Sequence, residues 1–241
     1  MKVGRLSYLN SYPVYRGLKE IYPMEFDYVC GTPSELNRLM QENLLDISLV
    51  SSIEYLMNRD RYELLGTGIV SEGAVGSVLL FGEEGPLRAT NESATSIALL
   101  KLLLGERVET TLNKREQIQA VKDNQRVLVI GDLALQLALE YPERVKLDLG
   151  EAYSLYTGLP MVFGVFVAKK NIQPLTEAFE ASWQIGLSYL DRELKALSET
   201  YTLPEEVIKK YLTENISYEL TDRAMEGLER FAEEAKTCKN C

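Results

Sequence analysis

Arg5-Leu-Ser-Tyr-Leu-Asn-Ser-Tyr-Pro-Val-Tyr-Arg-Gly-Leu18 reads as the end of a short strand, a polar turn and the start of a helix. Val3, Leu6 and Leu9 supply the apolar part, while Ser7, Tyr8, Asn10, Ser11 and Tyr12 crowd hydroxyls and an amide into the turn. Pro13 suits the first helical position, where a missing N–H costs no hydrogen bond. A strand ending in polar side chains beside a helix N-terminus is a common way to build a site in an α/β protein. Two readings stay open at this point: Asn10 and Ser11 cap the helix, or they face a ligand.

The segments that follow repeat the pattern. Glu25 to Cys30 alternates like a strand, and Thr32-Pro33-Ser34-Glu35 has the form of a capping box with Pro at the first helical position. Leu36, Leu39, Met40 and Leu44 mark one helical face. Asp46 to Val50 is a buried-type strand ending in Ser51-Ser52, with a helix expected from Ile53 to Asn58. This β-α-β-α rhythm implies a parallel sheet. Two strands are expected between Gly66 and Phe81, broken at Ser71-Glu72-Gly73, and Glu83 to Pro86 is expected to be a turn that crosses into a second domain.

Thr90-Asn-Glu-Ser-Ala-Thr-Ser96 is a second polar cluster, opening a helix that is apolar from Ile97 to Leu104 and ends at Gly105. Its N-terminus offers N–H groups, hydroxyls and a positive dipole end, which suit a carboxylate or phosphate. Capping is again the alternative. Arg126 to Ile130 is expected to be a strand, Asp132 the N-cap of a helix from Leu133 to Glu140, and Met161 to Ala168 a further apolar strand. Beyond it the chain reads as helical, with a stripe of Leu175, Phe179, Gly186, Leu190, Leu194 and Leu197. Thr202-Leu-Pro-Glu205 looks like another capping box, Ile216, Tyr218 and Leu220 alternate briefly, and Met225, Leu228, Ala232 and Ala235 face one side of a last helix. The order fits two lobes, residues 1–86 with 169–241 and an inserted 87–168. The expected ligand site is a cleft at strand carboxyl ends, where the clusters at Asn10, Ser51, Ser71 and Thr90 fall.

Composition narrows the function. The chain has 241 residues, 46% hydrophobic and 26% charged, with a formal net charge of −10. That charge argues against nucleic acid or an anionic membrane as the main partner. The longest apolar stretch, Leu159 to Ala168, is far short of the ~20 residues of a membrane span. Polar residues stand where a signal peptide would be apolar, so a cytoplasmic location is expected. Cys30 is expected in the core. Cys238 and Cys241 are expected to form a tail disulfide or to have no role rather than to bind metal. The chain contains no histidine. That removes Ser-His-Asp and Cys-His catalysis and every His-ligated metal site.

Taken together, these segments resemble the chorismate dehydratases of the futalosine route to menaquinone. The resemblance rests on Gly4-Arg-Leu-Ser-Tyr-Leu-Asn10-Ser-Tyr-Pro13, Pro33-Ser-Glu-Leu-Asn37, Leu45-Asp-Ile-Ser-Leu-Val-Ser-Ser-Ile-Glu54 and Val75-Gly-Ser-Val-Leu79. It continues with Thr90 to Ser96, Val129-Ile-Gly-Asp132, Asp148-Leu-Gly150 and Thr157-Gly-Leu-Pro160, covering roughly Val3 to Ala168. It implies an α/β, two-lobed, type II periplasmic-binding-protein-like fold with an inter-lobe cleft and C-terminal helices. The implied reaction is loss of water from chorismate, giving 3-[(1-carboxyvinyl)oxy]benzoate, with no cofactor and no metal.

By family position Asn10 contacts the reacting part of the substrate and Ser77 lines the same pocket. Ser11 is implied to bind substrate, Ser51, Ser52, Thr90, Asn91, Ser93, Ala94, Thr95 and Ser96 to hold carboxylates, and Thr157 and Gly158 to close another wall. Glu72 is a possible base, although a solvated loop carboxylate is the simpler reading. With no obvious base, the enolpyruvyl carboxylate of the substrate is expected to take the ring proton. The alternatives are a non-catalytic solute-binding protein of the same fold, or dihydroxynaphthoate synthase of the same pathway.

Overall fold

The computed structural model describes residues 1–22, 26–90, 92–170 and 175–237. The elements are β1 Lys2–Leu6, α1 Tyr12–Ile21, β2 Asp27–Gly31, α2 Pro33–Gln41, β3 Ile47–Ser51, α3 Ser52–Met57, β4 Tyr62–Ser71, β5 Val78–Phe81 and β6 Glu84–Thr90. Then come α4 Ala94–Leu104, β7 Thr110–Leu112, α5 Lys114–Lys122, β8 Gln125–Ile130, α6 Gly131–Glu140, β9 Val145–Asp148, α7 Leu149–Thr157 and β10 Met161–Lys169. The chain ends with α8 Thr176–Ser188, α9 Leu190–Tyr201, α10 Glu205–Lys210, β11 Ser217–Glu219 and α11 Asp222–Thr237. Short 3-10 turns lie at Leu9–Ser11, Arg59–Arg61 and Pro142–Arg144, and a π turn at Tyr211–Asn215.

Two compact units result, Met1–Val70 with Val162–Thr221 and Ser71–Met161 with Asp222–Cys241. The sequence reading set the divisions later, at 86/87 and 168/169, and kept all C-terminal helices in the first lobe. β5 explains the earlier division, because it pairs with β8 and β9 of the second sheet. α11 goes with the second unit, where the Tyr153 hydroxyl donates to the Gly227 carbonyl at 2.8 Å and the Tyr153 ring meets Phe231 edge-on.

Each unit holds one mixed sheet, where the β-α-β-α rhythm alone implied a parallel one. The first runs β11-β4-β10-β3-β1-β2, with β1 parallel to β2 and β3, and β10 antiparallel to β3. The second runs β7-β6-β8-β5-β9, with β6 parallel to β7 and β8, and β5 antiparallel to β8 and β9. The first core gathers Val3, Leu18, Ile47, Val165, Phe166 and Phe179; the second gathers Phe81, Val121, Val127, Val129 and Ala134.

Some local expectations change. Cys30 is exposed rather than in the core, because β2 is the sheet's edge strand. Thr202 caps no following helix; at φ +53° it ends α9 in the left-handed region, and Pro204 precedes α10. Asp132 lies in the first turn of α6, whose N-cap is Ile130. The expected turn at Glu83–Pro86 is largely strand β6. The tail pair Cys238 and Cys241 lies outside the described residues.

The helix that follows the Asn10 turn is fixed from two sides. The Tyr15 hydroxyl donates to the Gly4 carbonyl at 2.7 Å and accepts from the Leu6 N–H at 3.2 Å, tying α1 to β1. Burial pushes the Tyr15 phenol far up, so it stays a neutral donor. On its other side α1 meets α8 backbone to backbone: a Cβ at Gly17 would overlap the Ser182 carbonyl, and one at Gly186 would overlap the Pro13 carbonyl. Neither neighbour is a side chain that can swing aside. Gly17→Ala is therefore expected to cost at least the ~1–3 kcal/mol typical of overpacking. The check is the urea midpoint, which should fall with the slope unchanged.

Candidate active site

Seven helices begin at the carboxyl edges of the two sheets, α1, α2 and α3 in the first unit and α4 to α7 in the second. In the first unit β1, β2 and β3 are parallel, so the helices that follow them start on the same side. In the second, β6, β7 and β8 are parallel, and β9, antiparallel to β5 like β8, ends at the same level: Leu79 faces both Val129 and Asp148. Ser77, Thr90, Gly131 and Asp148 therefore share one edge.

A first helical turn has N–H groups with no partner inside the helix, and its dipole favours negative charge. Five of these helices supply that charge themselves in the first turn, with Glu35 in α2, Glu54 in α3, Glu116 in α5, Asp132 in α6 and Glu151 in α7. Among the described residues α1 and α4 carry no acid there. They are the helices that follow the two polar clusters singled out in the sequence.

At α1 the capping reading does not account for the side chains. Ser11 is the N-cap but makes no side-chain cap bond. Its hydroxyl points back, 2.8 Å from the Tyr8 carbonyl and 3.1 Å from that of Leu6, and holds the turn together. Asn10 stands in the 3-10 turn with its Oδ1 buried and without a hydrogen-bond partner among the described residues. A buried acceptor left unpaired by the fold is a candidate ligand atom.

Ser51 and Ser52 are committed internally. Ser51 exchanges hydrogen bonds with the Asn37 amide at 2.9 and 3.1 Å and accepts from the Glu54 N–H. The fully buried Ser52 hydroxyl donates to the Val162 carbonyl at 2.5 Å. Glu54 in turn accepts from Gln41, Asn58 and Tyr62.

In the second unit the Ser93 hydroxyl caps α4 by accepting from the Ser96 N–H and lies 2.8 Å from the Ser96 hydroxyl. Thr90 is buried and accepts from the Glu92 N–H. Ala94 is exposed at the head of α4, so it contributes backbone only, while Thr95 and Ser96 are buried. Asn91 lies outside the described residues. Ser77 is buried at the head of β5, and its carbonyl accepts from the Gly131 N–H at 2.7 Å.

Thr157 and Gly158 form the C-terminal cap of α7. The Thr157 hydroxyl donates to the Tyr153 carbonyl, and Gly158 takes φ +72°. Glu72 is exposed and paired with Arg223 at 2.8 Å, the solvated reading of that residue. Sequence reasoning gave no role to Asp148, whose carboxylate accepts four backbone N–H bonds, from Val75, Gly76, Gly150 and Glu151. The cue was there: an Asp before Leu-Gly at a strand end is a strong N-cap.

The fold class is that of periplasmic binding proteins. The chain superposes with TM-score 0.78 on protein AF1704 from Archaeoglobus fulgidus, at 17% identity, covering 98% of this chain and 96% of that one. It superposes with TM-score 0.59 on the Candida albicans CA3427 gene product, described as having the generic periplasmic binding protein fold, at 12% identity over 98% and 90% of the two chains. The sequence comparisons are closer. A family model described as Menaquinone biosynthesis matches residues 1–237, and the chain belongs to that family. It is 31% identical to a chorismate dehydratase of Campylobacter jejuni, over 99% of this chain and 98% of the other, and 32% identical to one of Thermus thermophilus, over 96% and 93%.

The geometry separates two neighbours in the same turn. Ser11→Ala is expected to cost about 1 kcal/mol, the usual worth of an intramolecular hydrogen bond. Asn10→Ala is expected to change stability by less than about 0.5 kcal/mol, because its buried oxygen has no partner to lose. Urea unfolding of the two variants beside the parent protein measures both.

Proposed function

We propose that this chain is a chorismate dehydratase, removing water from chorismate to give 3-[(1-carboxyvinyl)oxy]benzoate without a cofactor. The observation that carries the reading is similarity along nearly the whole chain to two proteins of that name. The two acid-free helix N-termini support it, since the substrate carries two carboxylates.

In this reading the head of α4, with Thr90, Ser93, Ala94, Thr95 and Ser96, holds a carboxylate, Asn91 being assigned the same role by sequence. Ser77 contacts the substrate. Asn10 meets the reacting part through its unpaired amide oxygen. Ser11, Ser51, Ser52, Thr157 and Gly158 act through the backbone they hold in place.

The chemistry needs little from side chains. The proton on the ring carbon bearing the enolpyruvyl ether passes to the enolpyruvyl carboxylate and on to the neighbouring ring hydroxyl, which departs as water as its C–O bond breaks, and the C–H electron pair completes the aromatic ring. Aromatisation supplies the driving force. The protein orients the carboxylate over the proton and keeps bulk water away. Glu72, exposed and bound to Arg223, is poorly suited to act as the base.

Incubation of the purified protein with chorismate, without added metal or cofactor, is expected to yield an aromatic product lighter by one water, seen by chromatography and mass. Unchanged chorismate with clear thermal stabilisation would instead make this a solute-binding protein. Glu72→Gln is expected to retain turnover, and its loss with binding intact would make Glu72 the base. Asn10→Ala is expected to lower kcat by about 100-fold, the scale of a misplaced reacting group.

A further inference from the structure

We infer that Asp148 is a positioning residue that sets the place of Ser77; the inference rests on the dehydratase reading. The loop from Glu72 to Ser77 is tied at several points to its surroundings in the second unit. Gly73 donates its N–H to the Ser154 hydroxyl at 3.0 Å, and the Ser77 carbonyl accepts from Gly131. The decisive ties are to Asp148, whose Oδ1 accepts from Val75 at 3.0 Å and Oδ2 from Gly76 at 2.7 Å. The same Oδ1 accepts from Gly150 at 2.9 Å and Glu151 at 3.1 Å, capping α7. One carboxylate thus fastens the residue before Ser77 to the head of a helix.

The surroundings are fitted to that role. Gly76 sits at φ +72°, a conformation costly for other residues, so the chain turns sharply just before Ser77. Gly150 has no room for a side chain: a Cβ there would lie 2.5 Å from the Ser71 hydroxyl and 2.8 Å from the Gly73 carbonyl. The loop and the helix head meet backbone to backbone, and Asp148 supplies the acceptors that this contact requires. A capping role alone would need only the bonds to Gly150 and Glu151. The bonds to Val75 and Gly76 go beyond it.

Asp148→Asn separates the two roles. With its oxygen turned towards Val75, Gly150 and Glu151, the asparagine keeps the cap and the Val75 bond but turns an NH2 group on the Gly76 N–H, releasing the residue directly before Ser77. The expected result is a fall in kcat of about 10- to 100-fold, the cost of misplacing a site group by a fraction of an ångström to an ångström. Because the effect passes through Ser77, Asp148→Asn should change kcat far less in a Ser77→Ala background, by at most about 3-fold, a non-additivity that a double-mutant cycle reads directly. A merely structural Asp148 would give equal losses in both backgrounds and overturn the proposal. If Asp148→Asn does not fold, Ser154→Ala carries the test by releasing Gly73 of the same loop. It should show the same non-additivity with Ser77→Ala, and additive losses would again overturn the proposal. Absence of turnover in the parent protein would sink the dehydratase reading itself, a different failure from turnover with additive losses.

Discussion

The N–H groups of a helix's first turn must find acceptors outside the helix. Wherever strands run parallel and are followed by helices, this need recurs along one edge of the sheet. Here it recurs seven times, and five helices meet it with an acid of their own. α2 and α5 do so with full capping boxes, Thr32 with Glu35 and Asn113 with Glu116. α7 does so twice over, with Glu151 and the Asp148 carboxylate. Burial pushes the Asp148 carboxyl up, while four N–H donors favour its anion, so a costly buried charge is kept because the backbone around it would otherwise be unpaired. Against this pattern the acid-free heads of α1 and α4 stand out as places where negative charge can arrive from outside.

Much of this was legible in the chain. The Thr32 box was readable because both halves of the motif are side chains at fixed spacing, and the strand Asp46–Val50 because Ile47, Leu49 and Val50 crowd apolar and β-branched residues into a short run. The polar clusters at Asn10 and Thr90 could be located, but not interpreted. Whether Ser11 caps forwards or bonds backwards depends on the 3-10 turn between Leu9 and Ser11, and nothing in a run of serine, tyrosine and asparagine encodes that choice. Cys30 alternates like a core residue, and only the position of β2 at the sheet edge exposes it. α7 carries a glycine in its first turn, Gly150, and that glycine answers to a contact with Ser71 and Gly73 far away in sequence. Local pattern gives elements; which strand lies at an edge and which glycine meets a backbone are settled by tertiary packing.

The polar residues divide once their partners are known. Ser11, Ser51, Ser52 and Thr157 look like ligand groups by type, yet each spends its hydroxyl on the protein's own backbone or on Asn37. Three carboxylates near the two edges are committed as well, Asp148 to four N–H groups, Glu54 to Gln41, Asn58 and Tyr62, and Glu72 to Arg223. Among the described residues, the first unit offers N–H donors at the head of α1 and the buried amide oxygen of Asn10, and the second offers N–H donors at the head of α4 and the buried Ser71 hydroxyl. Such groups bind and orient anions. In a chain without histidine, they fit the proposed reaction, in which the substrate brings its own base and the product is aromatic.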